Sequence, residues 1–369
     1  MRQITAQIEY LIYLYIFVCV CLMVFNTGFL LVRKSRKRTL EQRSEQLKKE
    51  LRKQFGKEMS ESYLNRLIKR LKKHRWLMAF DRAVSELNEE SPEEMAVCLE
   101  QMKRIFHALA KHYRKAPDME QAYYAFIVAK YCRGWGRRAE DMMQIMVGLT
   151  CSKSPYVREN ALRALYSLGD PYAVIYSMIL LNENHIFHHQ KLLVDGMNSF
   201  TGSHELLVRG LWERFDRFAP ELQVVIVDYM RYQAMDYRSG IAELLLNPKT
   251  DREVRLATLR YFRNRPYEPI RTTLYRYVQN VTIESWEEGA LAATALGAFS
   301  DRETICVLRN ALTSQYWYLR FNSIEALQRI GIDEELEAEI VGGDDRYARE
   351  LTQYKQAVHR MRLDTEGRA

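Results

Sequence analysis

The densest histidine cluster in the chain is His185, His188 and His189. Spacings of three and four place these imidazoles near one helix face, where they could share a divalent metal. A metal shell also needs a carboxylate or thiolate partner, and Glu183 is the only acid close by in sequence. The cluster therefore reads as a surface or inter-repeat cluster. His204-Glu205 is a single His-Glu pair, too few for a dinuclear carboxylate site. Cys19, Cys21, Cys98, Cys132, Cys151 and Cys306 show no Cys-x-x-Cys spacing, so no structural zinc is expected. They read as free, mostly buried thiols of a reducing compartment. No glycine-rich phosphate loop and no nucleophile motif occurs. No catalytic residue, metal or cofactor is expected.

Charge argues against nucleic acid as a partner. The net charge is +8, but residues 33–75 hold 17 Lys and Arg against 5 Glu. That segment contributes 17 − 5 = +12, which leaves the remainder at 8 − 12 = −4. One very basic stretch is joined to a mildly acidic body, and a whole-surface phosphate footprint is absent.

Residues 10–32 carry no charged side chain over 23 positions. At ~1.5 Å rise per residue they span about 34 Å, enough to cross a hydrocarbon core of roughly 30 Å. The stretch is too long for a signal peptide and lacks a small-x-small cleavage site. It is flanked by Arg2 and Glu9 on one side and by Arg33, Lys34, Arg36, Lys37 and Arg38 on the other. Lys and Arg stay on the cytoplasmic side, so the expectation is a single-pass cell-membrane protein with its N-terminus outside. Tyr10, Tyr13 and Tyr15 suit the outer aromatic belt. The five basic residues are placed to meet anionic lipid head groups. Asn26, Thr27 and Gly28 interrupt the apolar run. Small and polar residues either bond to their own helix or contact a partner transmembrane helix.

Beyond the membrane segment, Leu40, Leu47 and Leu51, then Leu64, Leu67, Ile68 and Leu71, give apolar stripes at helical spacing. Residues 36–75 thus read as a basic helical connector, broken at Gly56. From residue 120 onward a pattern recurs. Val157, Ala161, Leu165 and Leu168, closed by Gly169, mark one helix face and its stop. The face returns at Leu193, Met197 and Phe200, at Val225 and Tyr229, and at Val254, Thr258, Leu259 and Phe262. It appears again at Ala292, Leu296 and Phe299, and at Leu319, Ser323, Leu327 and Ile330. An earlier unit fits Tyr124, Val128 and Cys132 with the Gly134-Trp135-Gly136 turn. Shorter helices fall between these, at 173–181, 205–215, 241–246, 270–278 and 302–312. A steady period of 31–34 residues built from helix pairs means a solenoid, because one pair cannot bury its apolar face alone.

Val157-Arg158-x-x-Ala161-Leu162-x-Ala164-Leu165-x-x-Leu168-Gly169-Asp170 resembles the second helix and turn of a HEAT repeat, of the short bacterial type of phycobilisome-lyase-like proteins. Leu319-Arg320-x-x-Ser323-Ile324-x-Ala326-Leu327-x-x-Ile330-Gly331 is similar. The resemblance covers residues 120–335 and implies an all-α, HEAT-like α-solenoid preceded by one transmembrane helix and a basic helical connector. Expected divisions are an extracytoplasmic N-terminus 1–9, transmembrane helix 10–32, connector 33–75 and N-terminal capping helices 76–117. HEAT-like repeats 118–340 and a C-terminal capping helix and tail 341–369 follow. Arg158, Arg255 and Arg320 share one repeat phase; in HEAT repeats this arginine pairs with an acidic residue of a neighbouring repeat.

The resemblance implies a non-catalytic scaffold or adaptor. A membrane anchor beside such repeats is similar to accessory proteins of bacterial envelope assembly. Some of these accompany membrane-embedded family 2 glycosyltransferases that make and export polysaccharide. The resemblance thus implies a membrane-embedded partner of that kind, besides an anionic lipid surface. The alternative is a HEAT-repeat enzyme or a nucleic-acid-repair protein of the glycosylase type. Trp135, Trp286 and Trp317 are present for it, but the acidic body attracts phosphate poorly. A signalling adaptor for soluble peptides fits the same repeats.

Overall fold

In a computed structural model of the chain the described residues are 2–331, 338, 340–344, 346–350, 352–354 and 357, with the side chains of 2–12, 14, 137 and 138 excepted. The expected C-terminal helix and tail at 341–369 therefore lies in large part outside the described residues. No strand occurs among them, and the fold is an all-α helical-repeat solenoid. The chain divides into two compact units, 1–164 and 165–369.

The first unit opens with α1 (Arg2–Arg52), a single 51-residue helix. It runs without interruption from the apolar segment into the basic one. Leu47 and Leu51 of its far half are fully buried, and this half packs on α3 (His74–Glu90). Gly56, at φ +69°, closes the turn that follows, as its position in the sequence predicts. The Ser60 side chain caps α2 (Glu61–Leu71) by accepting from the Tyr63 N–H at 3.4 Å. Helix α2 buries Leu64, Leu67 and Leu71, the expected stripe, against α3 and α5.

The basic segment is helical, as expected, and packs on the helix that follows it. Residues 33–52 belong to α1, 61–71 form α2, and the expected boundary at 75/76 falls inside α3. The reason is the leucine stripe, which requires a partner face and finds it on α3.

The unit continues with α4 (Pro92–Gln101), α5 (Lys103–Tyr113), α6 (Asp118–Tyr131), α7 (Glu140–Leu149) and α8 (Pro155–Leu168), which reaches the unit boundary. Aromatic rings fill the interior. Phe80 meets Phe106 edge-on, and Tyr113 stacks on Tyr124 at 5.1 Å. The buried Tyr124 hydroxyl donates to the Phe106 carbonyl at 2.5 Å, which satisfies it away from water.

In the second unit come α9 (Pro171–Glu183), α10 (Gln190–Asn198), α11 (His204–Trp212), α12 (Pro220–Met230) and α13 (Arg238–Leu246). Then follow α14 (Arg252–Asn264), α15 (Arg271–Gln279), α16 (Trp286–Leu296), α17 (Arg302–Ala311) and α18 (Trp317–Ile330). Helices α10, α12, α14, α16 and α18 form one row, each packed on the next. Helix α9 lies on α11, and α15 on α17, in the other row. The residues that carry the period lie inside: Val254, Thr258, Leu259 and Phe262 of α14, Ala292 and Leu296 of α16, and Leu319, Ser323 and Leu327 of α18 are buried. Asp170, Ser203, Asp251 and Asp301 cap the starts of α9, α11, α14 and α17.

Successive repeat turns are stacked through glycine. Gly169 takes φ +82° after α8. A Cβ on Gly202 would lie 2.1 Å from the Gly169 carbonyl oxygen, so only glycine fits there. Thr201 N–H and its hydroxyl donate to the Tyr166 and Ser167 carbonyls at 3.1 and 2.8 Å, closing the end of α8.

Candidate functional site

The N-terminal part of α1 is long and apolar enough to cross a membrane, and Tyr13 together with residues 15–38 is exposed. Within it, the Thr27 hydroxyl donates to the Met23 carbonyl at 2.8 Å, so this polar group is satisfied by its own helix. Asn26 is exposed, and a Cβ on Gly28 would meet nothing within 4 Å. Phe25 stacks on Phe29 at 6.5 Å. Arg33, Lys34, Arg36, Lys37 and Arg38 follow in the same helix, all exposed.

Below these residues charge pairs fasten α1 to its neighbours. Lys48 Nζ lies 2.7 Å from Glu90 and 3.1 Å from Glu86. Glu90 and then Glu86 hold the Lys48 ammonium above the usual lysine range. Arg82 and then Lys48 hold Glu86 below the usual carboxylate range, and Lys48 does the same for Glu90. Arg52 also pairs with Glu90, and Arg82 lies 3.6 Å from Glu41. Arg70 of α2 meets Glu50 at 2.7 Å and lies over the Trp76 ring at 4.1 Å.

The three arginines of one repeat phase stand in different surroundings. Arg255 donates to Glu288 of the next helix in its row at 2.9 Å, and that carboxylate is only 7% exposed. This is the inter-repeat pair the phase predicts. Its guanidinium also reaches back to the Thr250 carbonyl. Arg158 reaches back likewise, donating to the Ser152 and Lys153 carbonyls at 2.8 and 3.1 Å. Arg320 instead lies over the Tyr347 ring at 4.7 Å. What Arg158 and Arg255 share is a clamp on the loop before their own helix.

The histidines do not share one helix face. His185 takes φ +51° in the turn after α9, and His189 caps α10 by accepting from the Lys191 N–H. The helical spacing read for them is therefore broken by that turn. Leu181, His185, His188, Glu221 and Leu222 are among the residues that line an open cleft of about 220 Å³ there. Among the described residues no group of His, Cys, Asp and Glu could hold a metal. His204 Nδ1 lies 2.6 Å from the Tyr229 hydroxyl, whose pKa burial raises, a contact within the core. The thiols are less buried than expected: Cys98 and Cys132 lie inside, but Cys306 on α17 is exposed.

One feature of the repeats escapes a reading of the apolar stripe alone. Trp286 stacks on Tyr318 at 5.3 Å, and Trp317 on Phe321 at 4.9 Å. Trp317 and Tyr318 are more than half exposed. The signal was available, since Trp286 and Trp317 stand 317 − 286 = 31 residues apart, at the same repeat position.

No protein-family profile matches the chain, and no curated protein matches it. Solved structures similar to it include a crystal structure of an engineered protein, 17% identical, covering 78% of this chain and 86% of its own, with a TM-score of 0.35. A second engineered protein is 20% identical, covers 61% of this chain and 96% of its own, and has a TM-score of 0.22. A designed armadillo repeat protein is 14% identical, covers 60% of this chain and 98% of its own, and has a TM-score of 0.24.

Proposed function

We propose that the protein is a non-catalytic scaffold of HEAT-like repeats, anchored in the cell membrane by α1 with the repeats in the cytoplasm. The observation that supports this most is the construction of α1. Tyr13 and residues 15–32 of its apolar part are exposed, while its continuation is packed into a folded unit. An exposed apolar stretch of that length is satisfied by lipid. The basic run from Arg33 to Arg38 sets the orientation. The partner is a membrane-embedded protein, and a family 2 glycosyltransferase making polysaccharide is the first candidate to test. Asn26 and Gly28 are the positions at which a partner helix would approach.

Cys306 makes the topology measurable. A membrane-impermeant thiol reagent is expected to leave it unmodified in intact cells and to modify it after lysis, with Cys306→Ser as the control. Modification in intact cells would reverse the orientation. Purification in mild detergent followed by mass spectrometry identifies the partner. Exchange of residues 10–32 for an unrelated apolar helix then tells anchor from contact: loss of the partner means contact.

A further inference from the structure

The ion pairs between α1 and α3 fix a register, and the register has a consequence for the membrane surface. Glu41 pairs with Arg82, Lys48 with Glu86 and Glu90, and Arg52 with Glu90. Low numbers meet low numbers, so the two helices run parallel. From Arg82 back to His74 is about 12 Å at 1.5 Å per residue. The same rise from Glu41 on α1 reaches residue 33. Starting instead from the Lys48 and Glu86 pair, His74 comes level with residue 36. The turn between α2 and α3 therefore stands beside the basic run Arg33–Arg38, at the inner edge of the apolar segment.

That turn is itself basic. Lys72, Lys73 and Arg75 are exposed. A second loop is tied to it. Helix α5 runs parallel to α2, with Arg104 on Glu61 at one end and the Tyr113 hydroxyl donating to the Leu71 carbonyl at the other. His112 Nε2 lies 3.1 Å from the Lys72 carbonyl oxygen. Helix α5 thus delivers Lys111, Arg114 and Lys115, all exposed, to the same end of the unit. Against these six cations stand Asp118 and Glu120, with Asp141 paired to Lys111 at 3.3 Å. The opposite end of α3 carries Glu89 and Glu90, followed by Glu93 and Glu94 at the start of α4, all exposed, with Lys53 and Lys57 beyond the end of α1. The charge of this end is set apart from the other by the length of α3.

We propose that Lys72, Lys73, Arg75, Arg114 and Lys115 form a second lipid-facing surface, which rests on anionic phospholipid head groups beside the α1 anchor. It rests on the reading of α1 as a membrane span. Attraction to anionic head groups fades within a Debye length of about 8 Å at physiological ionic strength. A charge held there by a rigid register is inside that range, and one a whole helix away is outside it.

The test uses the full chain in nanodiscs of phosphatidylcholine alone or with one third phosphatidylglycerol. Lysines are acylated by a water-soluble amine reagent and read by mass spectrometry. Anionic discs are expected to slow Lys72, Lys73 and Lys115 at least threefold against Lys57, and 0.5 M salt to reverse this. Equal rates in both discs, or an equal fall at Lys57, would overturn the proposal. In the Lys72→Glu, Lys73→Glu, Arg75→Glu variant, protection of Lys115 is expected to be lost. Its persistence in full would also overturn the proposal. Release of the unaltered chain from vesicles by alkaline carbonate would instead show that α1 is not a span. Protection that nuclease treatment abolishes would assign the surface to nucleic acid.

Discussion

In the first unit α1 is held on α3 by a leucine stripe edged with Lys48, Arg52 and Arg82 against Glu86, Glu90 and Glu41. In the second unit α14 is held between α12 and α16 chiefly by apolar contact, with Val254, Ala257 and Leu259 fully buried. Charge pairs edge it as well, Arg252–Glu287 and Arg255–Glu288 toward α16 and Arg260–Asp228 toward α12, and of these Arg255–Glu288 is the most withdrawn from solvent. Exposed charge pairs select a register but contribute little stability. Buried apolar surface contributes stability but leaves sliding along a helix face less restricted. The first unit thus edges α1 with charge, and the second puts more of its holding surface among buried apolar side chains.

The sharpest way to break this contrast is Leu259→Asp. A charge among buried side chains of three packed helices costs several kcal/mol, and loss of the cooperative denaturant transition of the second unit is expected. A transition unchanged in midpoint would mean that α14 does not carry that core. Next in size is Arg255→Met, which strands the buried Glu288 carboxylate. A loss of about 2–3 kcal/mol is expected from urea unfolding, and Arg255→Met with Glu288→Gln together should recover part of it.

The smallest effect belongs to the first unit. Lys48→Met should lower stability by ~0.5–1 kcal/mol, and faster amide exchange in residues 39–52 would report it. Acid should act on the same contact. Glu86 and Glu90 lie below the ordinary glutamate value of about 4.3 in the folded state. Their contribution is therefore full above that value and is lost as pH falls through the folded values. Protection of the amides in 39–52, taken relative to their intrinsic exchange rate at each pH, should fall below about pH 4 in the unaltered chain and respond less in Lys48→Met. An equal acid response in both would show that these carboxylates do not fasten α1.

The repeats were legible because their signal is local. Val157, Ala161, Leu165 and Leu168 sit within one helix, and the helix-stopping Gly169 follows directly. Short-range spacing of this kind predicts α14, α16 and α18 and the capped helices between them. The docking of α1 was not legible, because Lys48 and Arg70 look like members of a solvated basic run. Their carboxylate partners lie 20 to 42 residues away, with no spacing rule to announce them. The histidines failed for the opposite reason. Their spacing was local and helical, but His185 turns left-handed and ends the helix before they could share a face. Of the arginines in one phase, Arg255 pairs across the repeat with Glu288, while Arg320 lies over the Tyr347 ring. A guanidinium also reaches backbone carbonyls and rings, and the type of residue alone does not choose among them.

Because α1 has no break between the apolar segment and Leu47, it transmits rotation as well as position. Each residue of an α-helix turns the chain by about 100° and advances it by 1.5 Å. The number of residues between Val32 and Leu40 therefore works as an angular setting. It determines which side of α3 is aligned with which side of the apolar segment, as the keyway on a shaft determines the heading of a wheel. One residue more would swing α3 through more than a quarter turn for scarcely any gain in height. Seven more would return it close to its first heading, about 10 Å farther along the axis.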